Sequence, residues 1–349
     1  MRVLIVRLSS MGDVVHTLPA ITDAAKAIPG LRLDWAVDEA FAQIPSWHPS
    51  VETILPTALR RWGSKLTSDE VSEFRKKLRS RRYDFIVDLQ GEFKSALIAS
   101  FARGVRCGYD AASVHERGAQ LMYRKKFRVP KGIHSIERMR RLLAQALSYS
   151  YAESEIDYGV DRALLLPAPL EIKTPYVVFI HSTSWESKNW PEEYWRDLTR
   201  HATEIGLRVI LPWGSEAERQ RSQRIAAENE SVLVLPQLSI SEKAWIISRA
   251  VATVGLDTGL SHIAAALGVP SVTIYGATDP KLCGAIGKHQ VQIASDFECV
   301  ACHKEDCFHA ARSGNTAACF AGLTADRVWQ SVQDLVRTSE AGSKEFQLV

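Results

Sequence analysis

Short apolar runs alternate with longer amphipathic stretches along this chain, and the series is run through twice. Residues 3–8, 33–37, 85–89, 177–181, 209–212, 232–235, 252–255 and 271–275 read as buried strands. Between them, residues 191–204, 216–229 and 241–249 carry the helical period. Strand alternating with helix predicts parallel sheets covered on both faces, an α/β class. A Pro-rich segment near residues 164–175, with three leucines ahead of its prolines, separates the two series and is read as a linker. The expected division is residues 1–165, residues 175–322, and a C-terminal helix and tail, residues 323–349, with the helix returning towards the first domain. Two doubly wound domains facing across a cleft would bind ligands at the carboxyl ends of their strands. No short tandem period of the solenoid kind is present.

At 349 residues the chain suits two domains of middling size, each able to bury a core. It opens directly into a strand with no export signal, and no uncharged apolar run reaches the ~18 residues of a membrane span. A soluble cytoplasmic protein is expected. The net charge of +3 is unevenly divided: residues 1–160 hold 25 Lys and Arg against 18 Asp and Glu, and the remainder 18 against 22. The first half is therefore the expected host of an anionic partner, with no nucleic acid implied. The run RKKLRSRR (75–82) has charges all round a helix and reads as a solvated face. Arg60 and Arg61 lie instead between the strand-like VETILP and an irregular stretch, where a loop can aim side chains at a ligand.

The stretch VGLDTGLSHIAAALGVPSVTIYG, residues 254–276, concentrates the most chemistry. A buried strand ends in a tight loop carrying Asp257, Thr258 and Gly259, and Ser261 and His262 open a small-residue helix. A helix start presents unpaired N–H groups, which suit a phosphate or a sugar hydroxyl. Asp257 could equally be a helix cap, yet capping leaves the crowding of Thr, Gly, Ser and His unexplained. Upstream, HSTSWESKNWP (181–191) offers Thr183, Ser184 and Lys188 after another strand, and LPWGSEAER (211–219) places Gly214 and Glu218 at a third. Three strand ends with phosphate-compatible loops together predict a nucleotide-sugar site. The opening VLIVRLSSMGDVVHTLP (3–19) resembles the start of a nucleotide-binding βα unit but lacks the G-x-G-x-x-G fingerprint. Asp13 is then open to two readings, a helix cap after Gly12 or a working carboxylate.

The D-T-G-L-S-H segment, the T-S-x-x-x-K-x-W-P segment, L-P-W-G and the opening S-S-M-G-D, with DLQGEFKSA (88–96) and the run from His134 to Tyr149, resemble the lipopolysaccharide core heptosyltransferases of glycosyltransferase family 9. The likeness spans nearly the whole chain and is nearest to the enzymes that add the first heptose. It implies the GT-B fold, two Rossmann-like domains facing across a central cleft. It also implies ADP-L-glycero-β-D-manno-heptose as donor, the Kdo of Kdo2-lipid A as acceptor, and peripheral attachment to the cytoplasmic face of the inner membrane. Carried over residue by residue, Lys188 with Thr183 and Ser184 would contact the donor diphosphate and Glu218 the ribose. Asp257, Thr258, Gly259 and His262 would contact the heptose and phosphates, and Asp13 would be the catalytic base. No cofactor is implied. Arg60, Arg61, Lys65 and Lys94 are expected on the acceptor side. Departures from the family pattern fall there too: Gly63 and Ser64 interrupt a basic run, Glu92 follows Gln90–Gly91, and Arg7 stands where Lys is common.

The chemistry is consistent with these roles. Moving a sugar from a diphosphate to an alcohol needs a base for the hydroxyl proton and positive charge or dipole for the departing phosphate. One carboxylate fits direct inversion, since a covalent route needs a second, nucleophilic one. The alternatives are addition of the second core heptose, a sugar-nucleotide epimerase on the same fold, and a non-catalytic binding protein. Cys299, Cys302 and Cys307, spaced C-x-x-C-x-x-x-x-C, and the later Cys319 suit a zinc site or a reduced surface loop alike, and no metal is expected.

Overall fold

Two six-stranded, fully parallel sheets organise the chain, one in each of two units, Met1–Leu164 and Leu165–Val349. The computed structural model describes residues 1–63, 69–299, 301–309 and 317–339, with the Arg60 side chain excepted. In the first unit the strands are β1 (Arg2–Val6), β2 (Arg32–Asp38), β3 (Val51–Thr57), β4 (Arg82–Asp88), β5 (Arg103–Tyr109) and β6 (Lys125–Phe127). Its helices are α1 (Met11–Ala27), α2 (Leu59–Trp62), α3 (Asp69–Arg79), α4 (Phe93–Phe101) and α5 (Ser135–Leu147). The sheet order is β3-β2-β1-β4-β5-β6. β1 is apolar on both faces and buried from Val3 to Val6, as a central parallel strand must be when helices cover both sides.

The second unit repeats the plan with β7 (Tyr176–Ile180), β8 (Arg208–Leu211), β9 (Val232–Val234), β10 (Ala252–Leu256), β11 (Ser271–Tyr275) and β12 (Gln290–Ala294). The helices are α6 (Glu192–Glu204), α7 (Glu216–Ala226), α8 (Ile240–Ile247), α9 (Gly259–Ala266), α10 (Pro280–Cys283) and α11 (Ala325–Thr338). The order β12-β11-β10-β7-β8-β9 is the first order again, read from the other edge. In both units the order reverses beside the first strand, between β1 and β4 and between β7 and β10. Doubly wound sheets bind ligands at that switch point, outside the carboxyl ends of the strands.

Packing in the second unit explains the C-terminal helix. The apolar face of α11, expected to lead back towards the first domain, lies in the core of the second: Val328, Trp329, Val332 and Val336 are buried with strands β10 and β11 and helix α6. In the same core the Trp190 and Trp195 rings meet edge to face, centroids 5.0 Å apart, a geometry worth about 0.5–1.5 kcal/mol beyond area burial. Trp190 also donates its indole N–H to Leu323 O at 2.8 Å, tying the loop before α6 to the segment that leads into α11. Among the described residues, no helix is long and apolar enough to cross a membrane.

Candidate active site

At the second switch point the segments after β7, β10 and β11 bring three side chains, those of Lys188, His262 and Thr278, onto one carboxylate. Asp257, nine-tenths buried at the end of β10, accepts from Lys188 Nζ at 2.7 Å and from Thr278 Oγ1 at 2.7 Å. His262 Nε2 lies 3.5 Å from its other oxygen. Burial pushes the Asp257 carboxyl up, but the hydrogen bond and charge of His262, and then those of Lys188, outweigh it and hold the group well below the usual carboxylate range. Asp257 is therefore not a helix cap. Thr258 takes the N-cap position of α9 without a side-chain cap bond, and Gly259 is the helix's first residue. Lys188 is no solvated loop residue either, since its ammonium also lies 4.3 Å above the Trp185 ring.

Local sequence explains why this turn closes so tightly. Ser261 Oγ donates to Leu256 O at 2.6 Å, and a Cβ on residue 255 would overlap that hydroxyl, which favours glycine at the penultimate position of β10. The small residues of α9 let it lie close on the sheet, burying Ile263, Ala264 and Ala265. Thr183 joins the group through Oγ1, which donates to Asp257 O at 3.4 Å, while its N–H donates to Asn189 Oδ1 at 3.2 Å. Ser184 is exposed beside it. Glu218, expected at a ribose, is residue N3 of α7 and completes a capping box, with Oε2 accepting from Gly214 N at 2.5 Å and Ser215 N at 3.2 Å.

The cysteine-bearing segment braces this site. Ala301 and His303 donate backbone N–H groups to Gly276 O at 3.0 Å and Ala277 O at 2.8 Å, one residue short of Thr278. Ser187, next to Lys188, donates its N–H to Glu305 O at 3.0 Å and its hydroxyl to Lys304 O at 2.5 Å. Cys299, Cys302, Cys307 and Cys319 are free thiols, and among the described residues no three His, Cys, Asp or Glu side chains are grouped to hold a metal ion.

At the first switch point Asp13 sits at N3 of α1, where it closes the helix start. One oxygen accepts from Ser10 N at 3.1 Å and Ser10 Oγ at 2.9 Å, and the other pairs with Arg7 Nη2 at 2.7 Å. The carboxylate nonetheless remains one-third exposed. Arg7 in turn donates to Leu89 O at 3.1 Å, linking the loop after β1 to the loop after β4. That second loop is set by Asp88, which accepts from Gln90 N at 2.9 Å and Gly91 N at 3.1 Å. Gly91 has φ +75°, and a side chain there would press on the Tyr109 ring. The two loops and the start of α5 enclose a cavity of about 170 Å³ beside Asp13. A wider basic cavity, about 1040 Å³, opens at the amino ends of β4 and β5, the wrong end of the strands for a ligand of this fold.

The expected acceptor cations fare unevenly. Arg61 is paired with Glu39 at 2.8 Å and Glu70 at 2.6 Å, and Lys94 with Glu92 at 2.9 Å, so neither is a free charge. The Arg60 side chain and Lys65 lie outside the described residues. Sequence reasoning missed Thr278, the pairing of Arg7 with Asp13, and Arg138, which lines the small cavity. No local pattern announced them, because each is brought in from a separate strand end or helix start.

Two Rossmann-like sheets, one with a carboxylate and the other with a lysine–aspartate–histidine group at its switch point, define the class of two-domain nucleotide-sugar glycosyltransferases of the GT-B type. The chain is more narrowly placed by its relatives. It belongs to glycosyltransferase family 9, the heptosyltransferases, whose model matches residues 71–311. It is 47% identical over 312 residues to lipopolysaccharide heptosyltransferase 1 of Pseudomonas aeruginosa, covering 88% of this chain and 87% of the relative. Its structure is similar to that of the E. coli heptosyltransferase WaaC with ADP, with a TM-score of 0.84, 41% identity, and coverage of 96% of this chain and all of that one. The same E. coli enzyme with ADP-2-deoxy-2-fluoro heptose aligns with a TM-score of 0.81 and 40% identity over 96% of this chain and 99% of that one.

Proposed function

We propose that this chain transfers L-glycero-D-manno-heptose from ADP-heptose to the Kdo of Kdo2-lipid A, the first heptose of the lipopolysaccharide inner core. The observation that carries the reading is the ion pair of Lys188 with Asp257 at the second switch point: a partly exposed cation held on a buried carboxylate, which an arriving diphosphate can share. Lys188, Thr183 and Ser184 then hold the diphosphate, and Glu218 holds the ribose. His262, Thr258 and Gly259, at the start of α9, take the phosphates and the sugar with Asp257. The helix start adds N–H groups and a positive dipole end.

Asp13 takes the proton. The acceptor oxygen bonds to the anomeric carbon as the bond from that carbon to the β-phosphate oxygen breaks, and ADP leaves with the electron pair. Arg7, paired with Asp13, holds the carboxylate in place for the incoming hydroxyl. A single displacement inverts the anomeric carbon and needs no metal or cofactor in this account. Kdo2-lipid A stays in its bilayer, so the enzyme works as a peripheral protein on the cytoplasmic face of the inner membrane, where its basic half is drawn to anionic lipid. Mass measurement of Kdo2-lipid A after incubation with ADP-heptose tests the reading. A gain of one heptosyl unit supports it; release of heptose with the lipid unchanged rejects it.

A further inference from the structure

The small cavity beside Asp13 has an uneven charge balance. Arg7 is matched by Asp13 at 2.7 Å and Glu92 by Lys94 at 2.9 Å. Arg138, from the first turns of α5, has no carboxylate within ion-pair distance among the described residues. Its Nη2 donates to Ser113 O at 2.7 Å, its guanidinium lies 5.0 Å over the Tyr109 ring, and its Nε is buried with no hydrogen-bond partner. The two arginines that follow on the same helix differ. Arg140, almost wholly buried, meets Asp23 at 2.6 and 3.3 Å and two backbone carbonyls, and Arg141 meets Glu137 at 2.7 Å. Those two are spent on the fold. Arg138 is oriented by a carbonyl and a ring yet keeps an unused donor and an unmatched charge, an arrangement that costs stability unless an anion completes it.

We infer that Arg138 binds the carboxylate of the acidic sugar that accepts the heptose, and so turns its hydroxyl towards Asp13. This rests on the acceptor named above. A planar guanidinium pairs with a carboxylate through two parallel N–H donors, which fixes orientation as well as affinity. The N-terminal end of α5 adds positive potential at the same place, its first turn beginning at Ser135 in the cavity wall. A neutral sugar would leave the arginine unmatched, so the cavity selects for acids at the accepting residue. Arg138 acts by positioning the acceptor, and the proton still passes to Asp13.

The test compares Kdo2-lipid A with an analogue carrying a carboxamide in place of the carboxylate on the accepting sugar, using wild type, Arg138→Gln and Arg138→Lys. The wild type should favour the acid by about 10- to 150-fold in kcat/KM, the factor carried by a hydrogen bond to a charged group. Arg138→Gln should lose that preference with the KM for ADP-heptose unchanged, and Arg138→Lys should keep part of it, since it retains the charge without the fork. If Arg138→Gln does not fold, the lysine variant is read alone, and full preference there overturns the inference. Equal rates on acid and amide by the wild type, or an undiminished preference in Arg138→Gln, also overturn it. Absence of any wild-type transfer to the acid form would mean that the acceptor itself is wrong.

Discussion

In the first unit the switch point between β1 and β4 holds Asp13 and Arg7 beside a small cavity, with the carboxylate one-third exposed. In the second, the matching point between β7 and β10 holds Asp257 almost fully buried beneath Lys188, His262 and Thr278. The strand order is the same and the chemistry is not. A carboxylate meant to accept a proton must stay accessible, whereas one meant to hold cations in place gains from burial and from every donor aimed at it. One fold thus carries an accessible, arginine-paired carboxylate in one unit and a buried charge cluster in the other, set by the segments that follow equivalent strands.

Substitutions can break this contrast. Asp13→Asn should reduce turnover by about 100- to 10,000-fold, the usual worth of a general base, while leaving the donor KM near its wild-type value. Steady-state rates with ADP-heptose decide this, and most of the wild-type rate in a folded variant would remove Asp13 from the reaction. Lys188→Ala should act on the other half, weakening ADP by roughly 10- to 150-fold, about 1.5–3 kcal/mol for a charge-assisted contact. Its melting temperature should also fall, because Asp257 is left buried without its lysine. Unchanged ADP affinity would assign Lys188 to the fold alone.

Acid should weaken both units by the same route. Burial pushes His48 in the first unit down to about 4 and, with the nearby Arg221 charge, His181 in the second down to about 3. The unfolded chain takes up protons near its ordinary histidine value of about 6.5 while the folded one resists, so the stability held by both neutral rings is present above that pH and lost below it, at about 1.4 kcal/mol per pH unit for each ring. The Asp257 cluster behaves differently, since a depressed carboxyl loses its stabilisation only below about 3.9. Urea midpoints should therefore fall between pH 7 and pH 5 with or without Lys188. A flat profile would contradict the burial of the two histidines. The smallest effect should come from Arg60→Ala with Arg61→Ala. Because Arg61 already has two glutamate partners, a few-fold rise in acceptor KM at low salt is expected, fading as salt shortens the screening length to ~8 Å or less. Loss of donor affinity in this variant would undo the division between the units.

The central strands were legible because strands buried on both faces read as unbroken apolar runs, as β1, β7 and β10 do. β5, with RGVRCGY, and the edge strands β6 and β12, KKF and QVQIA, escaped notice because strands at or near a sheet edge need less apolar surface. The D-T-G-L-S-H loop announced its own chemistry, since Asp257, Thr258, Gly259 and His262 lie within one turn. Thr278, 21 residues further on, and the clasp of Ser187 by a carbonyl 117 residues away depend on how strand ends meet, which no spacing records. Arg138 was visible only as one charge in a basic run. Its difference from Arg140 lies in what each touches.

The division of labour between the two switch points is tested most directly by calorimetric titration of ADP into Asp13→Asn and Lys188→Ala in parallel with wild type. Asp13→Asn should keep wild-type affinity, and Lys188→Ala should lose about 10- to 150-fold. Equal losses in both variants, or a loss confined to Asp13→Asn, would contradict that division.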